Sequence, residues 1–573
     1  MKCGVSTIIT DSKKMKTKLL FLFILFNSIT NAQIPGWLWA SSAGGSGDDI
    51  VKSVAADIYG NFYAVGYFSS SSVNFGAFTL YNSGSGTKDM FIVKYNPSGT
   101  VLWAKSSGGS ENEDARSVAT DKGGNVYVAG SFQSNSVTFD TITITDPGSP
   151  LANFYLVKYD TTGKAIWVKN SLNSPSSDAA YSVCASSSGS VLLTGAFQSN
   201  SITFDTITVT NFAAPSLDFF IVKYNSSGKV LWAKDVGGSG HDLSNAMSAE
   251  ANGDFFICGY FASPTINFGG TTLTNLTPGT NDFFTAKFDS DGNALWAKSV
   301  GGVENEEGRA IATDNSGNVY VGGSYQSTPV AIDTITFTNP GSPYADFFLV
   351  KYNALGDVLW AKNSRNSNSS DASISVCTGK SGDVIFTGAF QSSSITIGSF
   401  TLNNHAEPNV DFFIAKYNLL GDVIWAEDLG GSDHELANSI CLDDNGNLFA
   451  GGYFASPSLS FGTITLTNNY SGVNDIFVAK TGSINGITET EQEKGMIVYP
   501  NPFSNSSTIE LHTGLHDAEL IIYNLYGQKT MEINHISGNK ITIEKGNLMS
   551  GIYFFKLTQE NKEIATKKVV ITE

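Results

Sequence analysis

The residues in this chain whose type and spacing can do chemistry are acids that follow glycine pairs. Asp48 and Asp49 come after Gly44-Gly45, Glu111, Glu113 and Asp114 after Gly108-Gly109, and Asp242 after Gly237-Gly238. Glu304, Glu306 and Glu307 follow Gly301-Gly302, and Asp433 and Glu435 follow Gly430-Gly431. Asp178 and Asp371 hold the matching places in two further segments. A ring of such carboxylates suits Ca²⁺, which takes about six to eight oxygens. The pattern therefore predicts an acidic ligand face, with calcium the one ion it would suit and no other cofactor implied. The same residues also read as turn caps that bond local amides and keep a surface soluble.

Catalytic constellations are sparse. A sialidase-like site needs converging arginines, and the repeats hold only Arg116, Arg309 and Arg365. A hydrolytic triad needs histidine, and the repeats hold only His241, His405 and His434. His241 and His434 stand 193 residues apart, so duplication explains them without catalysis. No catalytic residue is assigned. A binding, adhesion or scaffold role is expected, with a divergent polysaccharide hydrolase as the alternative.

The elements that must position the acids are strands. Tryptophans recur at Trp39, Trp103, Trp167, Trp232, Trp296, Trp360 and Trp425, always 64 or 65 residues apart. A fixed period of this length means a repeat architecture. Within the second unit, strands are expected at 117–121, 125–130, 154–159 and 165–169, joined by Asp- or Asn-led turns that end in glycine. Four strands per unit, repeated around an axis, make a β-propeller blade. Lys94, Lys158, Lys223, Lys287, Lys351, Lys416 and Lys480 recur once per unit and read as architectural. The long second-to-third connections alternate apolar and polar residues, as small hairpins do. They and the glycine-pair loops are expected on one crowded face, opposite the tight turns. The Asp-Thr-Ile runs at Asp140, Asp205 and Asp333 also match a short glycosylation motif, but a hairpin turn is the simpler reading.

The ends decide closure. The first Trp strand has no Phe-x-x-Lys strand before it, and the last Phe-x-x-Lys strand, Phe477–Lys480, has no Trp strand after it. Seating residues 37–41 beside 476–480 completes a seventh blade and removes both exposed edges. A second period of 193 residues lies over the first: units two and five, three and six, and four and seven match, and unit one is of the four-and-seven type.

Around the repeats, Lys16 and Lys18 precede an apolar run at 19–26 that ends in small residues, the form of a signal peptide spanning 1–32. Its start fits Met15 better than Met1, and cleavage after Ala32 leaves Gln33. The apolar run is too short to cross a bilayer, so no transmembrane segment is expected. The propeller is assigned to 33–481, a polar acidic linker to 482–495 and a small β-sandwich to 496–573. The net charge of −18 lies mostly in the repeats and repels nucleic acid. The cysteines are widely spread and read as small core residues, not a disulfide framework. A monomer is expected.

The run Gly44-Gly45-Ser46-Gly47-Asp48-Asp49, with the Asn-x-x-Gly turn and Trp strand, resembles bacterial β-propeller repeats of the Gly-Gly-Ser-Gly-Asp-Asp type. The last 78 residues resemble the C-terminal sorting domain of type IX secretion in Bacteroidetes. The likeness rests on Val498-Tyr499-Pro500-Asn501-Pro502-Phe503, Ile522–Gln528 with Gly527, Gly551-Ile552-Tyr553-Phe554-Phe555-Lys556, and Lys567-Lys568-Val569-Val570-Ile571. That resemblance implies the type IX machinery as a partner, passage through the outer membrane, and release or attachment at the cell surface. The expected ligand is an extracellular glycan or protein.

Overall fold

The computed structural model describes residues 36–483 and 496–572, apart from 147–149, 172–175, 187–188, 365–368, 380–381, 525–527 and 560–561. The expected signal peptide, its cleavage point at Ala32 and Gln33, residues 484–495 of the linker, Gly527 and Arg365 lie outside the described residues.

Each repeat folds as a four-stranded antiparallel sheet, and seven such sheets form the ring. In the second blade the strands are Glu113–Thr120, Val126–Phe132, Asn153–Tyr159 and Ala165–Asn170. The first strand starts four residues before the expected one. A bulge at Arg116, between Ala115 and Ser117, breaks the period-two alternation and makes the strand's polar start look like loop. First strands of successive blades touch one another and so line the axis. Hydroxyls stitch this inner ring. Ser53 Oγ accepts from Val118 N at 3.2 Å, Ser117 from Val183 at 3.0 Å and Ser182 from Met247 at 3.1 Å.

Closure pairs the two expected segments in a defined register. Trp39 pairs with Lys480, Ala40 with Ala479, Ser41 with Val478 and Ser42 with Phe477. Strand Trp37–Ala43 is therefore the outer strand of the blade that ends the ring.

The recurring Lys, glycine turn and Trp work as one clasp between neighbours. Trp39 Nε1 and Lys480 Nζ both donate to Pro97 O of the next blade, at 3.2 and 3.1 Å. Trp167 and Lys158 share Ser226 O, and Trp360 and Lys351 share Leu419 O. The turn glycine has two reasons to lack a side chain. Gly99 sits at φ 85°, and a Cβ there would lie 2.7 Å from the Trp39 ring.

All seven second-to-third connections carry a hairpin, such as Ser72–Phe75 with Phe78–Tyr81. Asp140, Asp205 and Asp333 sit at their tips with positive φ, which suits a hairpin turn. The hairpins pack outward, against the outer strand of their own blade or its neighbour. Val73, Phe75 and Leu80 join the core of the first blade. The crowding expected on one face is thus relieved, because the apolar side of each hairpin is buried along the rim. The channel mouth is left to the glycine-pair loops and the starts of the inner strands.

The tail forms one sheet of five strands, with two long members, Ser506–Asn524 and Lys529–Glu544, that shift register repeatedly. The sheet curls over a core that includes Ile509, Leu520, Phe555, Leu557 and Val569. Pro500 and Pro502 follow cis peptide bonds, and Asn501 Oδ1 accepts from Val570 N at 2.8 Å. Tyr553 OH donates to Met549 O, and Gly551 and Lys567 lie on the paired last two strands.

Candidate functional site

Seven of these acids, five after glycine pairs and two at the matching places, face inward. Asp49, Glu113, Asp178, Asp242, Glu306, Asp371 and Glu435 open the inner strands of the seven blades, each at most 1% exposed. The polar side chain starts the strand and turns back over its own loop. Glu113 Oε2 accepts from Gly109 N at 2.8 Å and Oε1 from Ser134 N at 3.1 Å. Asp49 accepts from Ser69 N, Ser70 N and Ser70 Oγ, and Asp242 accepts from Ser263 N and Oγ. Their hydrogen bonds are those of loop caps, so these side chains are not presented to a ligand. Asp48 is exposed, and Glu111, Glu304 and Asp433 are half-buried. These four remain at the surface of the loop-rich face.

A second set of carboxylates went unread in the sequence. Asp89, Asp218, Asp282, Asp346, Asp411 and Asp475 begin the third strands, with Asn153 in the same place in blade two, and all are buried. The signal was the Asp-x-Phe start of the Phe-x-x-Lys strands, which looks like an ordinary turn residue. Of these acids, all but Asp346 reach under the next blade's glycine pair. A Cβ on Gly108 would lie 2.0 Å from Asp89 Cγ, and one on Gly237 2.1 Å from Asp218 Oδ1. The first glycine is there because a carboxylate takes its side-chain space.

Five junctions between blades thus bring one acid of the third-strand set near one of the inner-strand set: Asp475 with Asp49, Asp89 with Glu113, Asp218 with Asp242, Asp282 with Glu306 and Asp411 with Glu435. Burial is the main force on them, against local hydrogen bonds. It pushes Asp49, Glu113 and Asp282 up to about 6, and Asp218, Glu306, Glu435 and Asp475 up to about 7. Like charge adds to it, from Asp49 on Asp475 and from Asp242 on Asp218. Asp89, Asp218, Asp282, Asp411 and Asp475 each keep one buried oxygen without a hydrogen-bond partner.

Among the described residues, no group of three or more His, Cys, Asp or Glu is placed to hold a metal. His241 and His434 make the same bond, each Nδ1 accepting a backbone N–H at 3.1 Å, from Leu217 and Val410. His405 Nδ1 lies 2.7 Å from Asp411 Oδ2, whose carboxylate also caps the His405 amide. Cys184, Cys258, Cys377 and Cys441 are free, and burial raises the Cys184 thiol to about 12, which keeps it inert.

What remains open to chemistry is the mouth of the channel, at the second and fourth positions of the inner strands. Arg116 Nε binds Asp114 at 2.8 Å, and Arg309 Nη2 binds Glu307 at 3.1 Å three blades away. Arg116 also lies over the Tyr181 ring at 5.0 Å. Asp114 is further held by Ser131 N and Oγ. Two arginines at matching places give the mouth planar donors suited to oxyanions or vicinal hydroxyls.

The architecture and site define a seven-bladed propeller followed by an export tail. Residues 497–572 match the family described as the secretion system C-terminal sorting domain, a domain that implies type IX export to the cell surface or the medium. Over 460 residues the chain is 23% identical to an uncharacterized WD repeat-containing protein of Acanthamoeba polyphaga mimivirus, covering 66% of this chain and 32% of that protein. The chain therefore spans about a third of that relative's length. Among solved structures, it is similar to the Pan2 WD40 domain of Neurospora crassa, at 9% identity with a TM-score of 0.36, covering 80% of this chain and 100% of that one. It is also similar to a puromycin hydrolase, at 9% identity with a TM-score of 0.29, covering 69% and 58%. No described helix is long and apolar enough to cross a membrane.

Proposed function

We propose that this protein is a binding propeller displayed outside a Bacteroidetes cell, released or attached at the surface once its tail has served export. It engages an extracellular glycan or protein through the channel mouth and the exposed loops around Asp48, Glu111, Glu304 and Asp433. The observation that carries this reading is the pairing of a sorting tail with a ring that closes by its own N-terminal strand. The recurring lysines, tryptophans and buried acids are used up in holding blades together, which leaves the mouth for ligand.

Two results are expected. A screen of glycans and extracellular proteins against residues 33–481, run with and without calcium, retains a ligand that competes at the mouth. A blank screen leaves only the scaffold reading. Removing residues 496–573 leaves a folded ring stranded in the periplasm, read by cell fractionation. Export of the truncated chain at native levels would overturn the sorting role.

A further inference from the structure

The internal duplication supplies its own control. At the 193-residue step, Asn245 and Asn281 of blade four match Asn438 and Asn474 of blade seven, and both pairs are structural. Asn245 Nδ2 donates to Gly308 O at 2.8 Å and Asn438 Nδ2 to Val51 O at 2.7 Å. Asn281 Nδ2 binds Glu307 Oε1 at 3.1 Å, and Asn474 Nδ2 binds Asp48 Oδ1 at 2.9 Å. In blade one the two matching residues are Lys52 and Lys88. The Tyr at the centre of the group is kept, as Tyr67, Tyr260 and Tyr453.

The two lysines have given up the structural bonds without gaining an ion pair. Among the described residues, neither ammonium has a carboxylate within 4.0 Å. Instead Lys88 Nζ lies 4.1 Å and Lys52 Nζ 5.7 Å from the Tyr67 ring centre. Arg116 adds a third cation, and its one carboxylate partner, Asp114, is shared with Ser131. Asp48, the other acid nearby, is taken by Asn474. Burial lowers the Lys52 pKa; Asp114 offsets part of that, and Lys88 and Arg116 lower it further. Gathering three cations is unfavourable unless something negative joins them, and the chain as a whole is strongly acidic. Tyr181, beside Arg116, is Ile374 in the matching blade. Blades one to three thus differ from blades four to six at this one place, in charge and in an aromatic ring.

We propose that Lys52, Lys88 and Arg116 form an oxyanion site at the channel mouth between blades one and two, which takes a carboxylate or sulfate group of an acidic glycan. Tyr181, partly exposed beside Arg116, flanks the sugar ring. This deepens the binding-propeller reading and rests on it only for the glycan, not for the anion.

The test uses the full mature chain and the double variant Lys52→Asn/Lys88→Asn, which installs the residues that blades four and seven already carry and so should fold. The probes are an oligogalacturonate, a sulfated oligosaccharide, the neutral oligosaccharide of equal length, and inorganic sulfate, each at two salt concentrations. One of the charged glycans should bind, weaken with salt and lose about tenfold or more in the variant, the loss expected for a removed charge-assisted contact. The neutral sugar should not bind. Which charged glycan binds names the group. Sulfate binding alone, lost in the variant, keeps the oxyanion site and removes the glycan. Equal binding by both proteins, or none by any probe, overturns the proposal, provided circular dichroism shows the variant folded.

Discussion

Deleting residues 33–43 from the mature protein abolishes the soluble monomer. The deletion removes the strand that pairs with 475–483 and uncovers a row of backbone donors and acceptors on a largely apolar edge strand. It also removes the Trp39 ring from its seat against Phe62, Tyr95 and Phe449. Loss of a fully buried Trp costs about 3 to 5 kcal/mol, and the half-buried Trp39 contributes less than that; Pro97 O also loses one of its two donors. Size-exclusion chromatography should show aggregate where the intact chain elutes as one species. Supplying residues 37–43 in trans, as a peptide, should recover part of the soluble fraction. A truncated chain that stays monomeric with an unchanged melting temperature would show that the ring does not depend on this strand.

The second large effect is a stability that rises as pH falls. The buried acids at the blade junctions have folded pKa values near 6 to 7, against ordinary values of 3.8 to 4.5. The folded ring therefore binds more protons than the unfolded chain between about pH 4 and 7. Stabilisation is complete below the unfolded pKa and is lost as pH rises through the folded one. Counting each junction once, because neighbouring acids titrate together, each contributes on the order of 1 to 3 kcal/mol between pH 7.5 and 5. At a fixed scan rate the melting temperature should be higher at pH 5 than at pH 7.5. Asp475→Asn should flatten that slope, since blade two already carries Asn153 in the equivalent place. A melting temperature that falls on acidification would mean the acids ionise freely in the fold.

How much of this was legible in the sequence differs by feature. Blade number, closure and the pairing of residues 37–41 with 476–480 follow from the spacing of tryptophans and of Phe-x-x-Lys strands, because a missing partner at each end admits one solution. The burial of Asp49, Glu113 and Glu435 was not legible. An acid after two glycines looks the same whether it faces water or turns back over its own loop. Asp89 and its counterparts were invisible for a related reason: one acid ahead of an apolar strand is common, and only the Gly108 backbone shows what space it takes. Lys52 and Lys88 were within reach. The 193-residue step needed only to be applied residue by residue, where it sets two lysines against four asparagines.

The clasp of Trp and Lys on a neighbour's turn would have a mechanical consequence if the chain is attached at the cell surface from its C-terminal side. Tension on the C-terminus enters the ring at Ser483, the end of strand Asp475–Ser483. That strand is not an edge. It is held on one side by Trp37–Ala43 and on the other by Asn447–Phe454, and its Lys480 is anchored across the seam on Pro97 O. A pull along the strand loads two ladders of hydrogen bonds together, in shear, where a pull on an outer strand would unzip one ladder bond by bond. The place where the circle is sewn shut is also the place where a tether would haul on it, and the strand there is paired on both sides.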